Sequence, residues 1–423
     1  MREQSRLRAA AIYVLILLGF LAISLQAYIV CPVCRAHTRF LWDFHTGYYA
    51  AGDAVLHGGP PALWPLLAEN WFNNWPILAY LFVPFALLGH HGGDFAFLIL
   101  GIAAIVAVFF LLTHACTVKS KLVVLLLFLV NGPLWYDIIT MGNTTHLVLL
   151  ALVCGLFLLQ RDRMLMVGIL IGLAAAIKPM ITIFILYFLV RRNWRAALGG
   201  IAVVAAVAGS SVAVFGLAIT HGWYEGSIAH FVTNPIGAFN NQSLSAFVQR
   251  LRTGPEYLHD WHGHAMPGSL IILLKLFSIV LLAMVALSAW RQRHRGQADT
   301  TRNTFANDAF DFCLLITFCV ISSPISWTHY YLLLLLPWSL FITGRLPLRG
   351  GVTTDALVWT SIILCSTPVL YPASLPDGLA GVSARSVASL WLLGGVLFLL
   401  ALFRSSRPWL VLRLSILSPD QHA

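Results

Sequence analysis

Over 423 residues the chain is 59% hydrophobic and only 10% charged, with a mean hydropathy of +0.83. That excludes an ordinary soluble domain, in which about a quarter of residues are charged. The formal charge of +10 is scattered singly and in pairs between apolar runs, so nucleic acid is not an expected partner. Continuous apolar runs, in place of alternating segments of about ten residues, exclude a β-barrel and leave an all-α integral membrane protein.

In chain order, Arg2, Arg6 and Arg8 precede an apolar run from Ala9 to Val30, long enough to cross a core of about 30 Å. The basic flank sets the N-terminus in the cytoplasm, and the length of the run favours a retained anchor over a cleaved signal peptide. Cys31 and Cys34 lie just beyond it, where a disulfide is chemically feasible, but no thioredoxin-like context or second cysteine pair accompanies them.

Next comes the main polar stretch, Trp42-Asp43-Phe44-His45-Thr46-Gly47-Tyr48-Tyr49-Ala50-Ala51-Gly52-Asp53. Pro76 to Leu88 is short and proline-bearing, and reads as an interfacial helix. Eleven further runs then read as spans: Asp94 to His114, Leu122 to Thr140, Thr145 to Gln160, Met164 to Ile177, Met180 to Val190, Ala196 to Thr220, Ser269 to Trp290, Phe305 to Ile321, Tyr330 to Thr343, Val352 to Leu370 and Val387 to Phe403. The expectation is about 12 transmembrane helices in a single polytopic domain over residues 1–423. With Pro76 to Leu88 interfacial, most of the 26 Lys and Arg fall on the cytoplasmic side together with both termini. Two long loops, residues 31–93 and 221–268, then face outward.

Basic residues flank Met164 to Val190, which is long enough only for two short helices turning at Lys178-Pro179; this puts Lys178 at the outer end. Other polar residues fall at the same predicted level: Asp43, His45, Asn73, Asn74, Asn143, Asn240, Asn241, Gln242, Ser243, Arg250, and the segment Ser323 to Tyr330, which includes Trp327 and His329. Each has an ordinary rival reading: a helix cap for Asp43, a snorkelling interfacial lysine for Lys178, an aromatic belt for His329 with Trp327 and Tyr330.

Taken in order, several elements resemble the polyprenyl-phosphate-mannose-dependent mannosyltransferases of glycosyltransferase family 87, which have the GT-C fold. They are Asp43 to Ala51, Trp75-Pro76 with Pro84, Gly142-Asn143, Gly168 to Pro179, Asn241-Gln242-Ser243 with Arg250, and Ser-Pro-x-Ser-Trp-x-His at 323–329. The chain departs from the family's Gly-Gln-x-Asn at Gly142-Asn143-Thr144-Thr145, and Gly58 to Trp71 is variable, so the acceptor does not carry over.

The resemblance implies an inverting transfer of a hexose, mannose by expectation, from a polyprenyl phosphate carrier to a lipid or glycan acceptor. The setting is the periplasmic face of a bacterial inner membrane. Asp43 is the implied base, and Lys178, Arg250, His329, Asn241, Gln242 and Trp327 the implied donor-binding residues. His45, Tyr48, Asn143 and Ser243 support them. No metal or cofactor beyond the lipid-linked donor is implied. A transporter or lipid flippase is the rival class, although carriers commonly show two similar halves and no such repeat is visible. The same fold with a pentose donor is the third reading.

Overall fold

The structure, a computed structural model, describes residues 3, 5–14, 40–297, 304–346, 348–366 and 377–406. The described residues are nearly all helical, and their β pairing is one isolated antiparallel bridge between Asn241 and Trp327. Most of the first run, Cys31, Cys34 and the end of the Val352 to Leu370 run lie outside the described residues.

Among the described residues, five helices are long and apolar enough to cross a bilayer: Gly89–Thr113, Trp194–Thr233, Gly268–Trp290, Phe305–Ser322 and Gly378–Ser405. A bent pair, Val118–Val130 with Gly132–Met141, makes a sixth, and Pro76–Leu87, Thr145–Gln160, Met164–Ile177, Pro179–Val190, Thr328–Ile342 and Gly351–Ser366 are shorter apolar helices. The chain is therefore a multi-pass membrane protein, but several predicted spans are short or broken. Proline is one cause: it removes a backbone donor and clashes with the preceding turn. The 57° bend falls at Asn131-Gly132-Pro133. There the buried Asn131 side chain accepts from the Leu134 amide at 3.0 Å and so caps the second half.

The helices differ in what they face. Gly268–Trp290 is only 11% buried and exposes Ile272, Leu273, Leu276, Ile279 and Val280, a surface suited to lipid, whereas Phe305–Ser322 is 78% buried and forms the centre of the bundle. Leu332 to Leu336 and Trp338 pack fully buried in the same core.

Met164–Ile177 and Pro179–Val190 form a hairpin. Asn193 Nδ2 donates to Met164 Sδ at 2.9 Å, so the two ends of the pair remote from Lys178-Pro179 lie side by side and the turn is at Lys178-Pro179. Trp194–Tyr224 packs on both arms through small residues: a Cβ on Gly172 would meet Val203 at 2.7 Å, and one on Gly200 would meet Ile185 at 2.9 Å. Lys178 thus sits at the end of the hairpin opposite Arg163 and Arg191.

A second apolar cluster organises the segment after residue 40. Phe44, Tyr48, Phe72, Phe82 and Phe97 pack together, and the Trp75 ring lies tilted against Trp223 with centroids 4.3 Å apart. This ties the short helical turns of 60–87 to the far end of Trp194–Tyr224.

Candidate functional site

Asp43 begins a π-helical segment, Phe44–Tyr49, and a second π-helix, Tyr136–Met141, leads to Asn143. In a π-helix residues i and i+5 share a face, which aligns Asp43 with Tyr48. Leu41 N donates to Ile139 O at 3.0 Å, and Gly142 turns in the left-handed region at φ 62°. A Cβ on Gly142 would lie 2.8 Å from Phe44 Cβ and 2.9 Å from Leu41 Cδ2, so only glycine permits this contact between the two segments.

The result is a continuous polar line. Asn143 Nδ2 donates to Asp43 Oδ2 at 2.7 Å, and Lys178 Nζ donates to Asn143 Oδ1 at 2.9 Å. Asn143 Oδ1 also accepts from Thr144 N at 2.8 Å and Thr145 Oγ1 at 3.3 Å, which leaves the amide nitrogen for Asp43. Lys178, the residue before Pro179, is extended (φ −129°, ψ 98°), as the proline ring requires, and its side chain is directed off the helix. Its ammonium also donates to Tyr330 Oη at 3.3 Å and lies 4.3 Å from the centre of that ring. Tyr48 is buried beside them, its hydroxyl 3.3 Å from Thr144 Oγ1.

Asp43 is half-buried. Desolvation pushes its carboxyl up to about 6, against the opposing pull of the Asn143 hydrogen bond and the Lys178 charge. A carboxylate in that range is suited to take a proton near neutral pH.

His329 stands in the same quarter, next to Tyr330 and stacked on Tyr136 at 6.5 Å. It is buried, and both ring nitrogens lack a hydrogen-bond partner among the described residues. Buried imidazoles are ordinarily hydrogen-bonded, so this one has its bonding capacity unspent.

The other sequence-predicted residues form a separate knot. The Arg250 guanidinium donates to Ala238 O at 2.9 Å, Asn241 O at 2.8 Å, Gly237 O at 3.4 Å and Ser389 Oγ at 2.9 Å. Burial pulls it down to about 9. Gln242 Nε2 donates to Phe239 O at 2.7 Å and Ala388 O at 2.6 Å. Asn241 Oδ1 accepts from Ser243 N at 3.2 Å and Ser326 N at 3.0 Å, while Ser243 caps Leu244–Thr253 through Ala246 N at 3.1 Å. Trp327 is half-buried against Phe231, Ile236 and Ala238. These residues fasten the loop 234–243 to 324–328 and 386–392. His45 points elsewhere, to Asp94 Oδ1 at 3.1 Å.

Sequence reading passed over Thr144 and, while including Tyr330 in the Ser323 to Tyr330 segment, gave it no role of its own. Tyr330 was hidden inside an aromatic run that also suits a membrane belt, although its place beside His329 was a usable signal.

A profile of glycosyltransferase family 87 matches residues 72–324. A curated relative from Mycolicibacterium smegmatis, the polyprenol-phosphate-mannose-dependent alpha-(1-2)-phosphatidylinositol pentamannoside mannosyltransferase, is 27% identical over 346 residues, covering 79% of this chain and 77% of its own. The polyprenol-phosphate-mannose-dependent alpha-(1-2)-phosphatidylinositol mannoside mannosyltransferase of the same organism is 28% identical over 57% of this chain and 52% of its own. GPI mannosyltransferase 1 of Kluyveromyces lactis is 28% identical over 32% of each chain. No solved structure matches the chain significantly. The family profile spans more than half of the sequence and includes Asn143, Lys178 and Arg250: the chain is a membrane glycosyltransferase and belongs to glycosyltransferase family 87.

Proposed function

We propose that this protein moves mannose from a polyprenyl phosphate carrier to a hydroxyl of a lipid or glycan acceptor, with inversion, on the outer side of a bacterial inner membrane. The observation that carries the reading is the line Asp43, Asn143, Lys178, in which a neutral amide bridges a carboxylate and a buried ammonium. The donor's name in two relatives supports the substrate class.

In this mechanism the acceptor oxygen attacks the anomeric carbon and its proton passes to Asp43. The bond from the anomeric carbon to the phosphate oxygen breaks, and polyprenyl phosphate leaves with the electron pair. Such a base contributes about 10²- to 10⁴-fold. Lys178 offsets the charge gathering on the leaving phosphate, where fixed donors act strongly because little water screens them. His329 offers its free ring nitrogens to the same phosphate or to sugar hydroxyls. Arg250, Asn241, Gln242, Ser243 and Trp327 serve the donor through the 324–331 segment they hold, and no step calls for a metal. The outer placement is supported by the hairpin, whose basic residues Arg163 and Arg191 lie at the end away from Lys178.

The test supplies purified protein in lipid with polyprenyl-phosphate-mannose and a lipid extract as acceptor pool. Mannosylated product with the anomeric configuration opposite to the donor's is the expected result. Movement of the lipid across the bilayer without sugar transfer would overturn the proposal.

A further inference from the structure

Asp137 and His146 form a buried pair that the mechanism does not use. Asp137 Oδ2 accepts from His146 Nδ1 at 2.8 Å and from the His146 backbone amide at 3.2 Å. Asp137 is fully buried, His146 is 1% exposed, and Asp137 Oδ1 and His146 Nε2 have no hydrogen-bond partner among the described residues. A carboxylate at membrane depth needs a reason to be there.

The reason lies in what this one residue holds. The Asp137 main-chain oxygen accepts from Asn143 N at 3.0 Å and from Gly142 N, while its carboxylate captures residue 146. Asp137 therefore grips both ends of the 142–146 turn, and Asn143, the bridge between Asp43 and Lys178, lies inside that grip. The neighbouring span is shaped to fit: a Cβ on Gly101 would come within 3.3 Å of His146 Nε2, and Phe97 meets the His146 ring edge-on at 5.9 Å.

We infer that Asp137, with His146, is a positioning residue for the transfer reaction, fixing the turn so that Asn143 joins the base to the cation. The inference rests on the reading of Asp43 as base. No hydrogen bond or ion pair joins Asp137 to Asp43 or Lys178, and its positioning effect runs through Asn143.

Titratable groups near Asp43 are Tyr48 on its own helix, Asp137 on Tyr136–Met141, Lys178 at the hairpin turn and Tyr330 on the segment after His329. Of these influences on Asp43, the Asn143 hydrogen bond outweighs the Asp137 charge, and the two act in opposite directions. Losing the turn and losing only the charge therefore shift Asp43 oppositely.

The experiment uses the full chain in lipid, with two readouts: the pH profile of kcat, and infrared titration of the carboxyl band that is absent in Asp43→Asn. In Asp137→Ala the residue-146 end of the turn is released while the main-chain bonds to Gly142 and Asn143 remain, and kcat falls by about 100-fold, as for misplacement of a catalytic group by about 1 Å, with KM little changed. The Asp43 midpoint rises above about 6. Asp137→Asn keeps an oxygen for both His146 donors, so it recovers most of the rate, and its midpoint falls to or below the wild-type value. If both variants lower the midpoint, Asp137 acts by charge alone and the positioning role is wrong. It is also wrong if neither midpoint moves, or if Asn is as damaging as Ala. Should Asp137→Ala fail to fold, His146→Phe keeps an aromatic ring and the backbone donor while removing the ring nitrogen, and carries the same upward prediction. Wild type that transfers no sugar defeats the proposed reaction, while the infrared midpoints still decide the role of Asp137.

Discussion

Asp43 and Lys178 are joined by Asn143 and not directly, and this has a kinetic consequence. A direct ion pair would hold the carboxylate well below the usual range and make it a poor base; the neutral amide lets desolvation win and leaves Asp43 at about 6. Because this pKa is raised, Asp43 is protonated below it and ionised above it, and as the proposed base it accepts a proton only when ionised. The rate is expected to rise through an acid limb near pH 6, and Asn143→Ala, which removes the hydrogen bond favouring the charged form, should move that limb upward. Profiles of kcat against pH for the two proteins check this; a limb that stays in place would mean that Asn143 does not act on the base. Asp43 and Lys178 were legible because an acid that opens the main polar stretch and a lysine before proline stand out in apolar surroundings. Asn143 was legible only as a supporting residue, since nothing in its local sequence says that two distant side chains meet on its amide.

At the scale of elements, the hairpin at Lys178-Pro179 was readable from the basic residues on both sides and from a run too short for two full spans. The breaks in the other spans were less so, because apolar composition looks alike in a long span and in two short helices joined by a capped bend at Asn131. Arg250 shows the limit most clearly: its partners are three main-chain oxygens and a serine hydroxyl, which no residue pattern encodes. Arg250→Lys cannot remake that fan of bonds, and we expect it to lower stability by about 2 kcal/mol. The donor KM of the protein that stays folded should be close to wild type. Thermal unfolding in lipid and transfer kinetics separate the two effects, and a raised KM with unchanged stability would return Arg250 to direct donor contact.

For the whole molecule, the residues that meet at the site come from four separated stretches: the 43–48 turn, the 136–146 break, the hairpin tip and the 324–331 segment. Such a site, set among apolar helices, suits the proposed donor, which has an isoprenoid tail and a polar head. The arrangement needs these stretches on one side of the bilayer. A reporter fused after Gly222 is expected outside the cytoplasm, and a cytoplasmic signal there would break the shared level.

The most direct measurement compares wild type with Asp43→Asn for sugar transfer from polyprenyl-phosphate-mannose, with donor binding followed in parallel. A loss in kcat of about 10²-fold or more, with donor affinity retained, is the predicted result for removal of a general base. Transfer at near wild-type rate in Asp43→Asn would contradict the account, since no other carboxylate among the described residues hydrogen-bonds the amide that Lys178 holds.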